Sequence, residues 1–158
     1  MMFRLRGFTL VELMITVAIA GVLVAMAVPL KEMVVKRQNE RELRSALREI
    51  RTAIDAYKHA AEEGTLKTSV ADSGYPKNLD ELMVGIDNMS SADRQKIYFL
   101  RRLPRDPMNP DTSLAPAQTW GLRSYASGPD DPKEGADVYD VFSLSKVKGL
   151  NGMPYREW

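Results

Sequence analysis

The chain reads as an α+β protein, with a long N-terminal helix, half transmembrane and half amphipathic, packed on a small C-terminal antiparallel sheet. Three observations lead there. Residues 8–30 hold one charge, Glu12, in twenty-three positions. Residues 31–63 contain neither Gly nor Pro and are rich in Glu, Arg, Ala and Leu. Alternating patterns come late, in residues 119–127 and 136–143.

The first element is long enough to cross a bilayer. At ~1.5 Å per helical residue, Phe8 to Leu30 spans a hydrocarbon core of ~30 Å. Arg4 and Arg6 precede it, so the positive-inside bias puts residues 1–7 in the cytoplasm and the rest, after Leu30, outside. Glu12 is the anomaly. An acid near mid-membrane costs roughly 2.5 kcal/mol or more, and less towards the edge, so it needs a partner or a task. A secretory signal, with Ala25-Met26-Ala27 imitating a cleavage site, leaves Glu12 interrupting the apolar run. A plain single-span anchor leaves it without a purpose.

Gly7-Phe8-Thr9-Leu10-Val11-Glu12-Leu13 resembles the processing site of type IV pilin-like proteins. In that family a prepilin peptidase cuts after the Gly and methylates the new Phe amine. Glu12 stands fifth from Phe8 and Pro29 twenty-second, the positions at which the family carries Glu and Pro. The resemblance implies cleavage between Gly7 and Phe8, N-methylation of Phe8, and subunit assembly through Glu12 and Pro29. Cleavage would leave one cation at the helix start and one anion a turn away, both poorly solvated. The amine of a neighbouring copy can then neutralise Glu12 and set register, because attraction in a low-dielectric medium is far stronger than in water. Pairing of Phe8 with Glu12 inside one chain is the alternative.

From Lys31 to about Glu63 the spacing predicts a continuation of the same helix, ending at Gly64 as the C′ residue. Leu43, Leu47, Ile50, Ile54, Tyr57 and Ala61 alternate steps of four and three, which makes one narrow stripe to bury. A helix from Phe8 to Glu63 would be roughly 80 Å long, more than a small domain covers, so lipid or other copies must cover its first half. Pro29 removes one backbone hydrogen bond and permits a bend. Beside the apolar stripe run Arg37, Arg41, Arg44, Arg48 and Arg51, readable as a solvated face, a contact between subunits or a DNA contact. Glu40 and Asp55, four residues from Arg44 and Arg51, are expected to pair with them along the helix.

Beyond Gly64, residues 65–74 are polar and without period, which predicts a mobile loop. Residues 75–83 read as a turn into a short helix with Asn78 as cap. Ser90-Ser91-Ala92-Asp93 opens a stretch to about Leu100, ambiguous between helix and strand, with Ile97, Phe99 and Leu100 for the core. The segment 103–111, with three prolines, cannot be regular. Residues 119–127 and 136–143 form the expected antiparallel pair, with Val138, Asp140 and Phe142 on one face and Tyr139, Val141 and Ser143 on the other. Two strands alone are marginal, so the pair must pack on the Leu43–Ala61 stripe, with a third strand from the C-terminal tail or residues 97–103. The organisation is thus a leader at 1–7, a membrane and filament-core helix at 8–30, its amphipathic continuation at 31–63, and a periplasmic domain at 64–158.

The later landmarks are Tyr75-Pro76, Leu103-Pro104, Asp106-Pro107, Tyr139-Asp140-Val141-Phe142-Ser143 and Trp158. In order, they resemble those of the major (G-type) pseudopilin of type II secretion. The absence of Cys fits this group better than type IV pilins, which more often close their C-terminal region with a disulfide. The resemblance implies a helical homo-oligomeric filament, inserted first in the inner membrane among lipid. It also implies minor pseudopilins and an inner-membrane assembly platform as partners, and a role in moving proteins through the outer membrane. It further implies calcium in the C-terminal loop, held by an Asp at the position of Asp140 and by another seven residues on. That second position is Val147. Asp130, Asp131 and Asp137, close to Asp140, are the substitute candidates, since a hard cation wants about six to eight oxygens; aspartates in a loop are otherwise turn formers.

Catalytic signatures are sparse. There is no Cys, one His, no Gly-x-Ser-x-Gly and no phosphate loop, so a non-enzymatic subunit is expected. His59 is expected on the helix surface near Asp55. A net charge of +1 exerts no general pull on nucleic acid. An adhesion or motility pilin and a DNA-uptake pilin remain the other readings of the same motifs.

Overall fold

The computed structural model describes residues 8–66, 73–91 and 95–158. The leader, including Gly7, lies outside the described residues, as does most of the expected 65–74 loop. Helix α1 runs Leu10–Glu62 without interruption at Pro29. The chain divides into two units, Met1–Gln38 and Asn39–Trp158.

In the first unit the described apolar side chains face outward. Leu10, Val11, Met14, Val17, Leu23 and Val24 are all exposed, because nothing in this unit lies across from them. The helix has an 18-residue window apolar enough to cross a membrane, with none of it buried in the protein.

In the second unit the four-three stripe is the core. Leu43, Leu47, Ile50, Ile54 and Tyr57 are buried together with Ala46 and Ala53, and Ala61 packs at the margin. Helix α1 stops where expected. Gly64 adopts φ +70°, the Gly64 N–H donates to Ala61 O at 3.1 Å and the Thr65 N–H to Ala60 O at 2.9 Å. This is a Schellman closure, which needs a left-handed residue at C′. Asn78 caps the next turn, its Oδ1 accepting from the Glu81 N–H at 3.1 Å, ahead of the short α2, Glu81–Val84.

The stretch opened by Ser90 resolves as strand. Strand β1, Ile86–Asp87, pairs antiparallel with β2, Lys96–Ile97, in a two-stranded ribbon; residues 92–94 lie outside the description. The Phe99 and Leu100 N–H groups then donate to Leu82 O, which draws Leu100 into the core. The main ribbon pairs β3, Trp120–Arg123, with β4, Asp140–Ser143, in the register Trp120↔Ser143, Gly121↔Phe142, Leu122↔Val141 and Arg123↔Asp140. Val141 and Ser143 are buried, as the alternation required. A Cβ on Gly121 would come within 2.3 Å of the Phe142 ring, so the glycine lets the aromatic lie across the strand.

The third strand expected on this ribbon is absent from the described residues. Of residues 97–103 only Ile97 is in a strand, in the smaller ribbon, and the tail forms a 3₁₀ turn, Tyr155–Glu157, with one bridge between Lys148 and Pro154. Tyr155 itself is 1% exposed. The tail covers the core with a side chain where a strand was expected.

Candidate functional site

At the N-terminal end, Phe8 is 75% exposed and Thr9 precedes the first helical residue. The Thr9 N–H donates to Glu12 Oε2 at 3.4 Å, and the Glu12 N–H donates to Thr9 Oγ1 at 3.2 Å. This reciprocal pair is a capping box, which satisfies two of the four orphan donors of a helix start. Thr9 was not singled out from the sequence, although Thr-x-x-Glu ahead of an apolar run is the signature of the motif. Glu12 therefore has a partner within its own chain, the Thr9 amide. Pro29 lies within α1.

In the second unit the four candidate aspartates have different surroundings. Asp130 is exposed. Asp131 pairs with Lys133 at 2.7 Å. Asp137 accepts the Ser124 hydroxyl and the Tyr125 N–H, both at 2.8 Å. Burial pushes its carboxyl up, but the hydrogen bonds from Ser73, Tyr125 and Ser124 outweigh this and hold it below the ordinary carboxylate value. Asp140 Oδ1 accepts from Arg51 Nε at 2.8 Å and from the Val141 N–H at 2.8 Å, while Oδ2 faces Arg123 Nη2 at 3.5 Å.

The arginine stripe is split by these partners. Arg51 Nη2 also donates to Val141 O at 3.1 Å and Trp158 O at 2.9 Å. Arg44 lies 4.3 Å over the Trp158 ring. The expected pairing along the helix gives way to partners distant in sequence, since Glu40 Oε1 instead accepts from the Leu150 N–H at 2.7 Å and the Tyr155 hydroxyl at 3.0 Å. Burial, and then the Glu40 carboxylate, push the Tyr155 phenol up to about 12. His59 sits on the surface but pairs with Glu63 at 3.3 Å, not with Asp55.

Comparison with known proteins matches residues 2–28 to the family described as "Prokaryotic N-terminal methylation motif". Over most of the chain it is similar to three proteins named Type II secretion system core protein G. That of Klebsiella pneumoniae is 29% identical, covering 92% of this chain and 99% of the relative. The Pseudomonas aeruginosa protein is 29% identical, covering 83% and 88%. The Escherichia coli K12 protein is 26% identical, covering 90% and 94%. No solved structure matches.

The chain resembles the major (G-type) pseudopilins of the type IV pilin-like family.

As a pseudopilin, the chain departs from its group where calcium is implied. No group of three or more His, Cys, Asp or Glu that could hold a metal occurs among the described residues. The oxygens of Asp140 are met by guanidinium and amide donors, and Val147, at the second implied position, is an exposed aliphatic side chain. The substitute set of Asp130, Asp131, Asp137 and Asp140 does not fit the ion, because no three of its members form a group that could hold it.

Proposed function

We propose that this pseudopilin is the structural, non-enzymatic subunit of a type II secretion pseudopilus. It is inserted in the inner membrane with residues 39–158 in the periplasm, cut by prepilin peptidase between Gly7 and Phe8, and methylated on Phe8. It then polymerises into a helical filament, with minor pseudopilins and an inner-membrane assembly platform as partners, and the filament drives export across the outer membrane.

The observation that carries this reading is the first unit of the chain. Its described apolar side chains are exposed, and one acid stands in the first turn of the helix. Such a surface is stable only in lipid or against copies of itself, and a heterologous, non-closing contact between copies generates a fibre.

The capping box makes the role of Glu12 testable in a way that truncation to Ala does not. Glu12→Gln keeps the acceptor that the Thr9 N–H needs, since a capping box accepts Glu or Gln, but removes the charge. We expect the variant to be cleaved normally, with a mature mass beginning at methylated Phe8, and to lose polymerisation and secretion. Normal filaments from Glu12→Gln would show that the acid serves only as a helix cap and that no charge pair joins the copies.

A further inference from the structure

We propose that Arg51 is the resident cation of the C-terminal junction, so that this pseudopilin folds and holds its tail without calcium. A divalent ion in a protein loop gathers carboxylate and carbonyl oxygens from separate segments onto one positive centre. The Arg51 guanidinium does this from the side of α1. Its Nε takes the Asp140 carboxylate at 2.8 Å, and its Nη2 takes two main-chain oxygens, Val141 O at 3.1 Å and Trp158 O at 2.9 Å. One planar fork thus joins the helix, strand β4 and the chain's last residue. Arg is suited to this because its donors are fixed in a plane and its charge persists at any ordinary pH.

The surroundings work against a second cation. Arg123 sits opposite Asp140 in the strand register and brings its own guanidinium to within 3.5 Å of Oδ2, while stacking 4.6 Å over Tyr139. Two positive groups therefore share one carboxylate. A divalent ion entering there would meet like charge, and would have to strip Asp140 of both arginines to reach it. Of the other candidate acids, Asp131 is paired with Lys133 and Asp137 is committed to Ser124 and Tyr125.

The pair is partly solvated, with side-chain exposures of 37% for Arg51 and 26% for Asp140. An isolated exposed ion pair contributes little. The contribution here comes from one side chain satisfying three oxygens of two segments, which Lys cannot reproduce with a single ammonium.

The test uses the full chain extracted in detergent and does not depend on polymerisation, so its failure would leave the filament reading standing. Thermal melting is followed in EGTA and in millimolar calcium, with magnesium at equal ionic strength as control, and terbium is added as a luminescent calcium probe beside Trp158 and Tyr139. The wild type is expected to melt within a degree in all three solutions and to give no sensitised terbium emission above that of Asp140→Asn. Arg51→Gln, and to a lesser degree Arg51→Lys, are expected to lower the melting temperature in every solution. The drop for Arg51→Gln is about 3–6 °C, the scale of a modest loss in a domain of this size. A wild type that melts several degrees higher in calcium than in EGTA, or terbium emission that Asp140→Asn abolishes, would overturn the proposal. So would an Arg51→Gln protein with unchanged melting. Should Arg51→Gln fail to fold, the wild-type comparison decides by itself.

Discussion

Glu40 and Tyr155 show how a single buried hydrogen bond ties the pseudopilin domain shut. Glu40 is 7% and Tyr155 1% exposed, and the phenol donates to the carboxylate at 3.0 Å. Tyr155→Phe keeps the ring in the core but leaves a charged acceptor one donor short, a loss of about 1–3 kcal/mol at neutral pH in chemical denaturation. The pH dependence has a definite sign. The phenol is raised from 10.0 to about 12 in the folded chain, so the native state binds its proton more tightly. The stability it contributes is complete below pH 10 and disappears as the pH climbs through about 12. Wild type should therefore weaken across that interval relative to Tyr155→Phe, and parallel alkaline curves would refute the linkage.

At the same scale lies the chief limit on what the residues disclosed beforehand. Glu40 with Arg44, and Arg51 with Asp55, are pairs that any helical wheel suggests. The structure instead gives Glu40 to Tyr155 and Leu150, and Arg51 to Asp140, Val141 and Trp158. Partners four residues apart stay within reach in the unfolded helix, and pairing them adds only about 0.2–0.5 kcal/mol. Partners gathered by the tertiary fold escape water as well, and they win. Nothing in the spacing of the sequence announces which residue 89 or 115 positions away will arrive. Asp106 is another case. It falls in the 103–111 segment expected to be irregular, yet it is 2% exposed and accepts the Ser143 hydroxyl at 2.6 Å and the Met108 N–H at 2.8 Å. Burial pushes its carboxyl up, against the pull of those two bonds.

Elements were legible where local chemistry and burial agreed. The end of α1 is an example, since a glycine follows a helical run and the backbone there is left-handed. A Cβ on Gly64 would meet nothing within 4 Å, so Gly64→Ala tests backbone conformation alone. Placing an L side chain at φ +70° costs roughly 1–2 kcal/mol. Urea denaturation should show that loss, and Gly64→Asn, which tolerates this region, should show less. Equal stability of all three would mean that α1 ends for another reason. The 90–100 stretch was not legible, because Ile97, Phe99 and Leu100 fit a short strand as well as a helix turn. Pairing of Ile97 with Ile86 decided it, and that contact is tertiary. The missing third strand follows from the same cause. Pro154 and the 3₁₀ turn after it place Tyr155 over the helix, and one aromatic side chain supplies cover that a strand would have supplied with several.

For the whole molecule, the two units divide the work: the described side chains of 8–38 present apolar surface, and 39–158 encloses a buried core. The seam at residue 39 falls eight residues beyond the charge change at Lys31, because burial begins only where Glu40 and Leu43 meet the tail. Protease resistance of the second unit should therefore depend on the tail. A chain stopped before residue 150 retains the Leu43–Tyr57 stripe but lacks Tyr155 and Trp158, and limited trypsin digestion should cut it within residues 41–58 while the full chain resists there. Equal resistance would show that the tail is dispensable.

Because residues 150–158 close onto the helix at Glu40, Arg44 and Arg51, the order of synthesis matters. The apolar segment leaves the ribosome more than a hundred residues ahead of the last piece that the second unit requires. The domain of residues 39–158 thus cannot close until Tyr155 and Trp158 have been made, long after the apolar segment.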